Sequence, residues 1–470
     1  MTDDTKDFAL ECCARLLAEP FRIKVVEKIR LPSRAEREQV LERACYSPAL
    51  VDSSDVFIDL VTDSGTAAMS DEQWAALMRG DEAYVRSRSY KNFEHAVQEA
   101  TGFEHVIPTH QGRAAENIVM ELLTKQGDIV LGNTHFDTTR AHMEHRGALP
   151  VDLVGDSLWT FEKPEPFKGN FDLQKLEHAL ERYKGRVPMV VITVLNNLAC
   201  SSPVSMANIK GVKALADRYG VPVYFDACRF AENAYFIKTR EPGYADKSVA
   251  DIAREMLAHG VGCWMSAKKD ALVNVGGFIA LRDEGLARRC QELLVLYEGF
   301  YTYGGLARRD LEAVAVGLRE GVDEAYLAHR TGLVRYLGEL LTARGVPISQ
   351  PVGGSGVFAD VLALYPQLSE EHLPGIALFA DLYREGAVRA GAIPFALNTI
   401  SSETGDVVKR PFQFARFAIP RRVYGKAHME YVAEIMGRVR EQASMNRGYR
   451  VVHAPPVLGH FFAKFAPRAS

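Results

Sequence analysis

An α/β fold built on a parallel sheet is predicted by three stretches of the chain. Val190 to Val194 and Val221-Pro-Val-Tyr-Phe-Asp226 are short apolar runs rich in β-branched residues, each leading into polar side chains, as strands buried on both faces do. Between them, Ser205 to Tyr219 places Ile209, Val212, Leu215 and Ala216 on one helical face, and Gly220 supplies the stop. Together they read as a βαβ unit. The third stretch, Trp264-Met-Ser-Ala-Lys-Lys-Asp-Ala-Leu-Val-Asn-Val-Gly-Gly277, has an apolar lead-in, two adjacent lysines and a closing glycine pair. Ligands of open α/β sheets lie outside the carboxyl ends of the strands. Asn197, Asp226 and the Lys268-Lys269 pair are therefore expected to converge on one site.

The lysine pair admits two readings on its own. It fits a solvated surface loop, where lysines are usually found. It also fits a pocket wall, where desolvation disfavours the ammonium form and leaves an amine able to bond an aldehyde cofactor or a carbonyl substrate. An acid that keeps a pyridinium nitrogen protonated, plus such a lysine, is the arrangement pyridoxal phosphate requires as an electron sink.

Composition narrows the class. A chain of 470 residues that is 47% hydrophobic can bury a large core and is expected to form two domains. Its formal net charge of −4 gives no electrostatic reason to expect nucleic acid, whose binding usually needs a basic face. Seven cysteines without a CxxC pair suit a reduced, cytoplasmic chain. The acidic N-terminus lacks a signal-peptide core, and no apolar run reaches membrane-spanning length, so no membrane association is expected.

Along the chain, Leu10, Ala14, Leu16 and Leu17 suit an amphipathic turn or two in an extension of residues 1–18. A helix is expected over Ser33 to Cys45 and a strand-like run over Val56 to Val61. Gln111-Gly112-Arg113 opens a helix carrying Ile118, Met120, Leu122 and Leu123, and free N–H groups at such a start make an anion cradle. His135, His142 and His145 lie close together but lack the partners of a closed zinc set, so they read as ordinary polar positions. Asp310 to Arg344 reads as a long amphipathic helix with room for one break, stopped by Gly345. Val357-Phe-Ala-Asp360 and Phe414 to Ile419 read as strands, and Asn398 to Lys409 as a polar loop or hairpin.

Asp226-Ala-Cys-Arg229, the following Glu-Asn-Ala-Tyr-Phe-Ile-Lys238 and Ser266-Ala-Lys-Lys-Asp270 resemble the aromatic amino acid β-eliminating lyases, the family of tryptophanases and tyrosine phenol-lyases. Glu19-Pro-Phe-Arg22, Leu60-Val-Thr-Asp-Ser-Gly-Thr66, Gly80-Asp-Glu-Ala-Tyr84, Pro108-Thr-His-Gln-Gly-Arg113, Tyr303-Gly-Gly-Leu306 and Ile419-Pro-Arg-Arg422 extend the likeness from about Glu19 to Phe465. The resemblance implies a fold-type I, aspartate aminotransferase-like large domain over residues 60–320 and a smaller α/β domain over 321–470. It also implies an N-terminal arm over 19–59 that packs with the small domain.

What the resemblance implies for the site is specific. Lys269 bonds the cofactor. Gln111, Gly112 and Arg113 cradle its phosphate with Lys268 near it, Phe136 stacks on its ring, Asp226 holds its pyridinium nitrogen, Arg229 lies near its phenolic oxygen, and Asn197 and Ser266 are further cofactor contacts. Thr62, Ser64, Arg416, Ile393 and Phe461 face the substrate, whose carboxylate Arg416 grips with its planar fork. Asp137 and His460 serve catalysis, and Tyr84 acts as an acid toward the leaving group from a partner subunit. Gly65, Glu82 and Asn274 bind a monovalent cation, K+. The implied assembly is a homo-oligomer, a dimer of dimers, acting on a small-molecule amino acid.

The chain also departs from the family's pattern. Val85-Arg86 stands where a small residue and glycine are usual, Cys200-Ser201-Ser202 replaces Gly-Gly-Gln, and Tyr301 replaces a proline. Ala49 replaces a pocket phenylalanine, Ala392-Ile393-Pro394 replaces a motif with glutamate and glycine, and Gly459 replaces an arginine. Asp137, His460 and Ile393 favour tryptophan, cleaved to indole, pyruvate and ammonium, over tyrosine. Tyrosine cleavage, β-elimination or β-replacement on another amino acid, and a non-catalytic cofactor-fold binding protein are the alternatives.

Overall fold

A computed structural model of the chain describes residues 18–401, 404–455 and 462–468, with the side chains of 393–395 and 412 outside that description. The strands are β1 (Ile58–Leu60), β2 (His105–Thr109), β3 (Ile129–Gly132), β4 (Leu149–Asp152), β5 (Val190–Thr193), β6 (Val223–Asp226), β7 (Gly262–Ser266), β8 (Gly277–Leu281), β9 (Gly356–Asp360), β10 (Val388–Ile400), β11 (Val407–Ala418), β12 (Tyr449–His453) and β13 (Lys464–Pro467).

Seven strands form the principal sheet in the order β2-β8-β7-β6-β5-β3-β4. Neighbours from β4 through β7 run parallel, and β8 is antiparallel to both β7 and β2. Both faces are covered, which accounts for the unbroken apolar character of these strands. Val190, Ile192, Phe225 and Met265 enter one core layer, while Val191, Tyr224, Trp264 and Ile279 enter the other.

The expected βαβ unit is present: Met206–Arg218 is helical between β5 and β6, capped by Ser205, and Gly220 has a φ of 67°. The helix expected over Ser33 to Cys45 spans Arg34–Arg43, with Ser33 and Glu36 forming a reciprocal cap. The long amphipathic pattern is broken once, into helices Arg308–Glu320 and Glu324–Ala343, because Asp323 caps a new start.

The second sheet has the order β1-β10-β11-β9. Its core takes Val40, Leu41, Val56 and Ile58 from the N-terminal side, and Leu337, Phe379 and Met436 from later helices. The stretch Asn398 to Lys409 is a hairpin whose strands reach further than its polar residues suggest, with Asn398 opposite Lys409. It leans on the principal sheet, where Asn398 donates from Nδ2 to Pro150 O at 3.0 Å and from its backbone N–H to Asp152 Oδ2 at 3.0 Å. Among the described residues no helix is long and apolar enough to cross a membrane.

Candidate active site

The pocket lies where β5, β6 and β7 end and the helix Gly112–Leu123 begins. It has a volume of about 440 Å3. Thr62, Ser64, Gln111, Gly112, Arg113, Phe136, Asp137, Asn197, Arg229, Ser266, Lys268, Lys269 and Arg416 all line it. Thirteen positions expected from seven separate stretches of sequence thus meet at one wall. Asp226 ends β6, is buried, and accepts the Cys228 N–H at Oδ1.

One part of the wall is cationic and narrow. Lys268 Nζ donates to Gln111 Oε1 at 3.0 Å, and burial, reinforced by Lys269 and Arg113, pulls the Lys268 ammonium below its ordinary value. A Cβ at Gly112 would come within 2.6 Å of the Ser266 Cβ, so only glycine lets the helix start approach β7. The Ser266 hydroxyl is buried without a hydrogen-bond partner among the described residues. Phe136 precedes the helix Asp137–His145, and the Lys269 ammonium stands 5.5 Å from its ring centroid.

Another part of the wall carries two arginines. Arg416, on β11, donates from Nη2 to Val61 O at 2.7 Å, while its Nε is buried without a hydrogen-bond partner among the described residues. Burial lowers the Arg416 pKa, with Arg229 adding repulsion. Arg229 is held by Asp63 through two parallel bonds of 3.0 and 2.8 Å, and it donates to Asn197 Oδ1 at 3.2 Å. Although burial acts to raise it, the Arg229 and Arg421 guanidiniums hold Asp63 well below the usual carboxylate range.

Glu116 and Asp63 line the pocket and were not among the expected residues. Burial, then the nearby Asp226 carboxylate, pushes Glu116 up to about 8, and Thr138 Oγ1 donates to it at 2.5 Å. Its position three residues after Arg113, on the same helical face, was the available signal.

The remaining expected residues lie elsewhere. Tyr84 is exposed and does not line this chain's pocket; it stacks on Phe300 with ring centroids 5.4 Å apart. Asn274 Nδ2 donates to Gly65 O at 3.0 Å, whereas Glu82 accepts from Arg309 Nη1 at 3.1 Å and from the Arg308 backbone. His460, Phe461 and Gly459 lie outside the described residues, as do the side chain of Ile393 and residues 1–17.

The family described as beta-eliminating lyase matches residues 59–435. The chain belongs to this family. A tryptophanase of Salinibacter ruber is 51% identical over 456 residues, covering 96% of each chain. A tyrosine phenol-lyase of Symbiobacterium thermophilum is 46% identical over 451 residues, 96% of this chain and 98% of its own. Among solved structures, a Sphingomonas wittichii serine palmitoyltransferase aligns with a TM-score of 0.55 at 15% identity, over 94% of this chain and 98% of its own. A SepCysS–SepCysE N-terminal domain complex aligns with a TM-score of 0.54 at 15% identity, over 82% and 95%. Those two likenesses are of fold, and the fold is type I.

Membership of these lyases implies pyridoxal phosphate, and the residues present fit it. The orphaned Ser266 hydroxyl, the Gly112 helix start, and the Arg113 and Lys268 cations suit a phosphate. Phe136 offers a ring face beside Lys269. Asp226 supplies an acid at the strand end.

Proposed function

We propose that this β-eliminating lyase is a carbon–carbon lyase that cleaves tryptophan to indole, pyruvate and ammonium. The observation that carries the reading is Asp137, which starts a helix directly after Phe136 and lines the same pocket as Lys269 and Arg416. When bound, pyridoxal phosphate supplies an electron sink for charge at the substrate α-carbon.

The chain's own residues supply the rest. Lys269 is the covalent anchor and, once displaced, the base that takes the α-proton. Arg416 uses its unpartnered Nε with Nη2 as a fork for the substrate carboxylate. Thr62 and Ser64 help position the amino acid, and Asp137 receives the indole N–H. Ile393 favours indole, because a phenol hydroxyl left beside it without a partner costs on the order of 1–3 kcal/mol. His460 and Phe461 complete the substrate end, with Ile393 offering a phenol oxygen no cation.

Tyr84 donates a proton to the leaving carbon from a neighbouring subunit, so the working unit is a homo-oligomer, a dimer of dimers. The exposure of Tyr84 supports this role. Glu82 of that neighbour, with Gly65 and Asn274, provides the oxygens of a K+ site. The domain bounds 19–59, 60–320 and 321–470 are part of the same reading, as is a cytoplasmic location.

Steady-state kinetics with both amino acids tests the substrate. The expected kcat/KM for tryptophan exceeds that for tyrosine by tenfold to about a hundredfold. Equal values, or a preference for tyrosine, refute the assignment.

A further inference from the structure

Arg421 is fully buried and does not line the pocket, yet it joins three segments that do. Its Nη1 donates to the backbone oxygen and to Oδ2 of Asp63, each at 3.0 Å. Its Nη2 donates to Glu232 Oε1 at 2.8 Å and to Asp270 Oδ1 at 3.0 Å. Each carboxylate is one step from a pocket residue. Asp63 grips Arg229 and lies between Thr62 and Ser64. Asp270 follows Lys269, and its Oδ2 accepts the Ala231 and Glu232 N–H groups at 2.8 and 3.1 Å, at the start of the helix that Arg229 precedes. Glu232 is shared with Arg330, whose Nε donates at 3.0 Å.

We propose that Arg421 is a positioning residue that orients Arg229 and the Lys269 turn from behind the pocket. The inference rests on the reading of Arg229 as a contact to the cofactor's phenolic oxygen. Buried ion networks are poor stability devices, since apolar residues of similar volume often replace them without loss. What a guanidinium fork does supply is direction, because its donors fix the plane and spacing of the groups they meet.

The network also has an electrostatic consequence. The charged groups around Arg229 are Asp63, Arg421, Glu232, Asp270 and Arg416. Asp63 divides its charge between Arg229 and Arg421. Without Arg421 that charge falls on Arg229 alone, which lowers the positive potential at the pocket wall. Removing one unit charge from behind the pocket, at an effective dielectric of about 20, shifts a titration by on the order of one pH unit.

The test is a pH titration of the visible absorbance of the bound cofactor in holoenzyme, with kcat and KM measured beside it. Arg421→Met should raise the titration midpoint by on the order of one pH unit and lower kcat at least about tenfold, with KM changing less. Arg421→Lys restores the charge without the fork, so it should recover the midpoint but not kcat. Asp63→Asn should move the midpoint the opposite way, downward. Variants with native circular dichroism and full cofactor content but unmoved midpoints overturn the assignment. If Arg421→Met does not fold, Arg421→Gln removes the same charge and decides, and an unmoved or lowered midpoint overturns it. A parent protein without a visible cofactor band overturns both this assignment and the reading beneath it, whereas a loaded parent with unmoved variants overturns this assignment alone.

Discussion

Gly112 meets Ser266 so closely that a Cβ on the glycine would stand 2.6 Å from the serine Cβ and 2.9 Å from its backbone nitrogen. Those atoms cannot swing away, so Gly112→Ala must push the helix start off β7. The overpacking should cost about 1–3 kcal/mol and lower cofactor affinity at least about tenfold. Ser266→Ala separates stability from binding. Removing a buried hydroxyl without a partner should stabilise the cofactor-free protein by about 1 kcal/mol and still weaken cofactor binding. Denaturant midpoints and cofactor titrations check both, and a destabilised Ser266→Ala with unchanged affinity contradicts the phosphate cradle.

Arg86 has a φ of 47° and is exposed. The left-handed region costs a non-glycine residue roughly 1–2 kcal/mol, and glycine returns part of that gain as chain entropy. Arg86→Gly should therefore stabilise the protein by about 0.5–1 kcal/mol, read as a rise in the urea midpoint at constant slope. A lowered midpoint shows that the arginine side chain does more here than the strain costs.

The strands around the pocket were legible because β5 and β6 are apolar on both faces, and the helix between them carries a clean period and a glycine stop. The site's floor was not. Asp63, Glu232, Asp270, Arg330 and Arg421 are charged, and charged residues read as solvated until pairing across long sequence separations is seen; Arg421 and Asp63 are 358 residues apart. The lysine pair was ambiguous by composition, and only the resemblance directed Lys269 inward. The antiparallel β8 was also missed, since periodicity does not report strand direction. At Cys200 and Ser201, where the family has glycines, the backbone keeps positive φ values of 52° and 51° despite the side chains.

Glu116 should make the cofactor-free protein sensitive to alkali. Its folded value of about 8 lies above the ordinary 4.5, so its contribution to stability is full below about 4.5 and is lost as pH rises through 8. Glu116→Gln removes that loss. Urea midpoints measured from about pH 5 to pH 9 should fall more steeply for the parent than for the variant. Parallel curves would show that Glu116 is ionised in the folded protein.

A pocket shared between subunits predicts complementation. Tyr84→Phe and Lys269→Ala are each expected to be inactive, and mixing them with subunit exchange should restore part of the activity, because one site in the hybrid keeps both residues. Exchange demonstrated by mass spectrometry with no recovered activity contradicts a contribution of Tyr84 across the boundary.

Lys269, at the turn after β7, is expected to carry the cofactor. Borohydride reduction of the holoenzyme makes the lysine–cofactor link permanent, and peptide mapping then locates the added mass. That mass is expected on Lys269 alone. Mass on Lys268, or on no lysine of this turn, contradicts it.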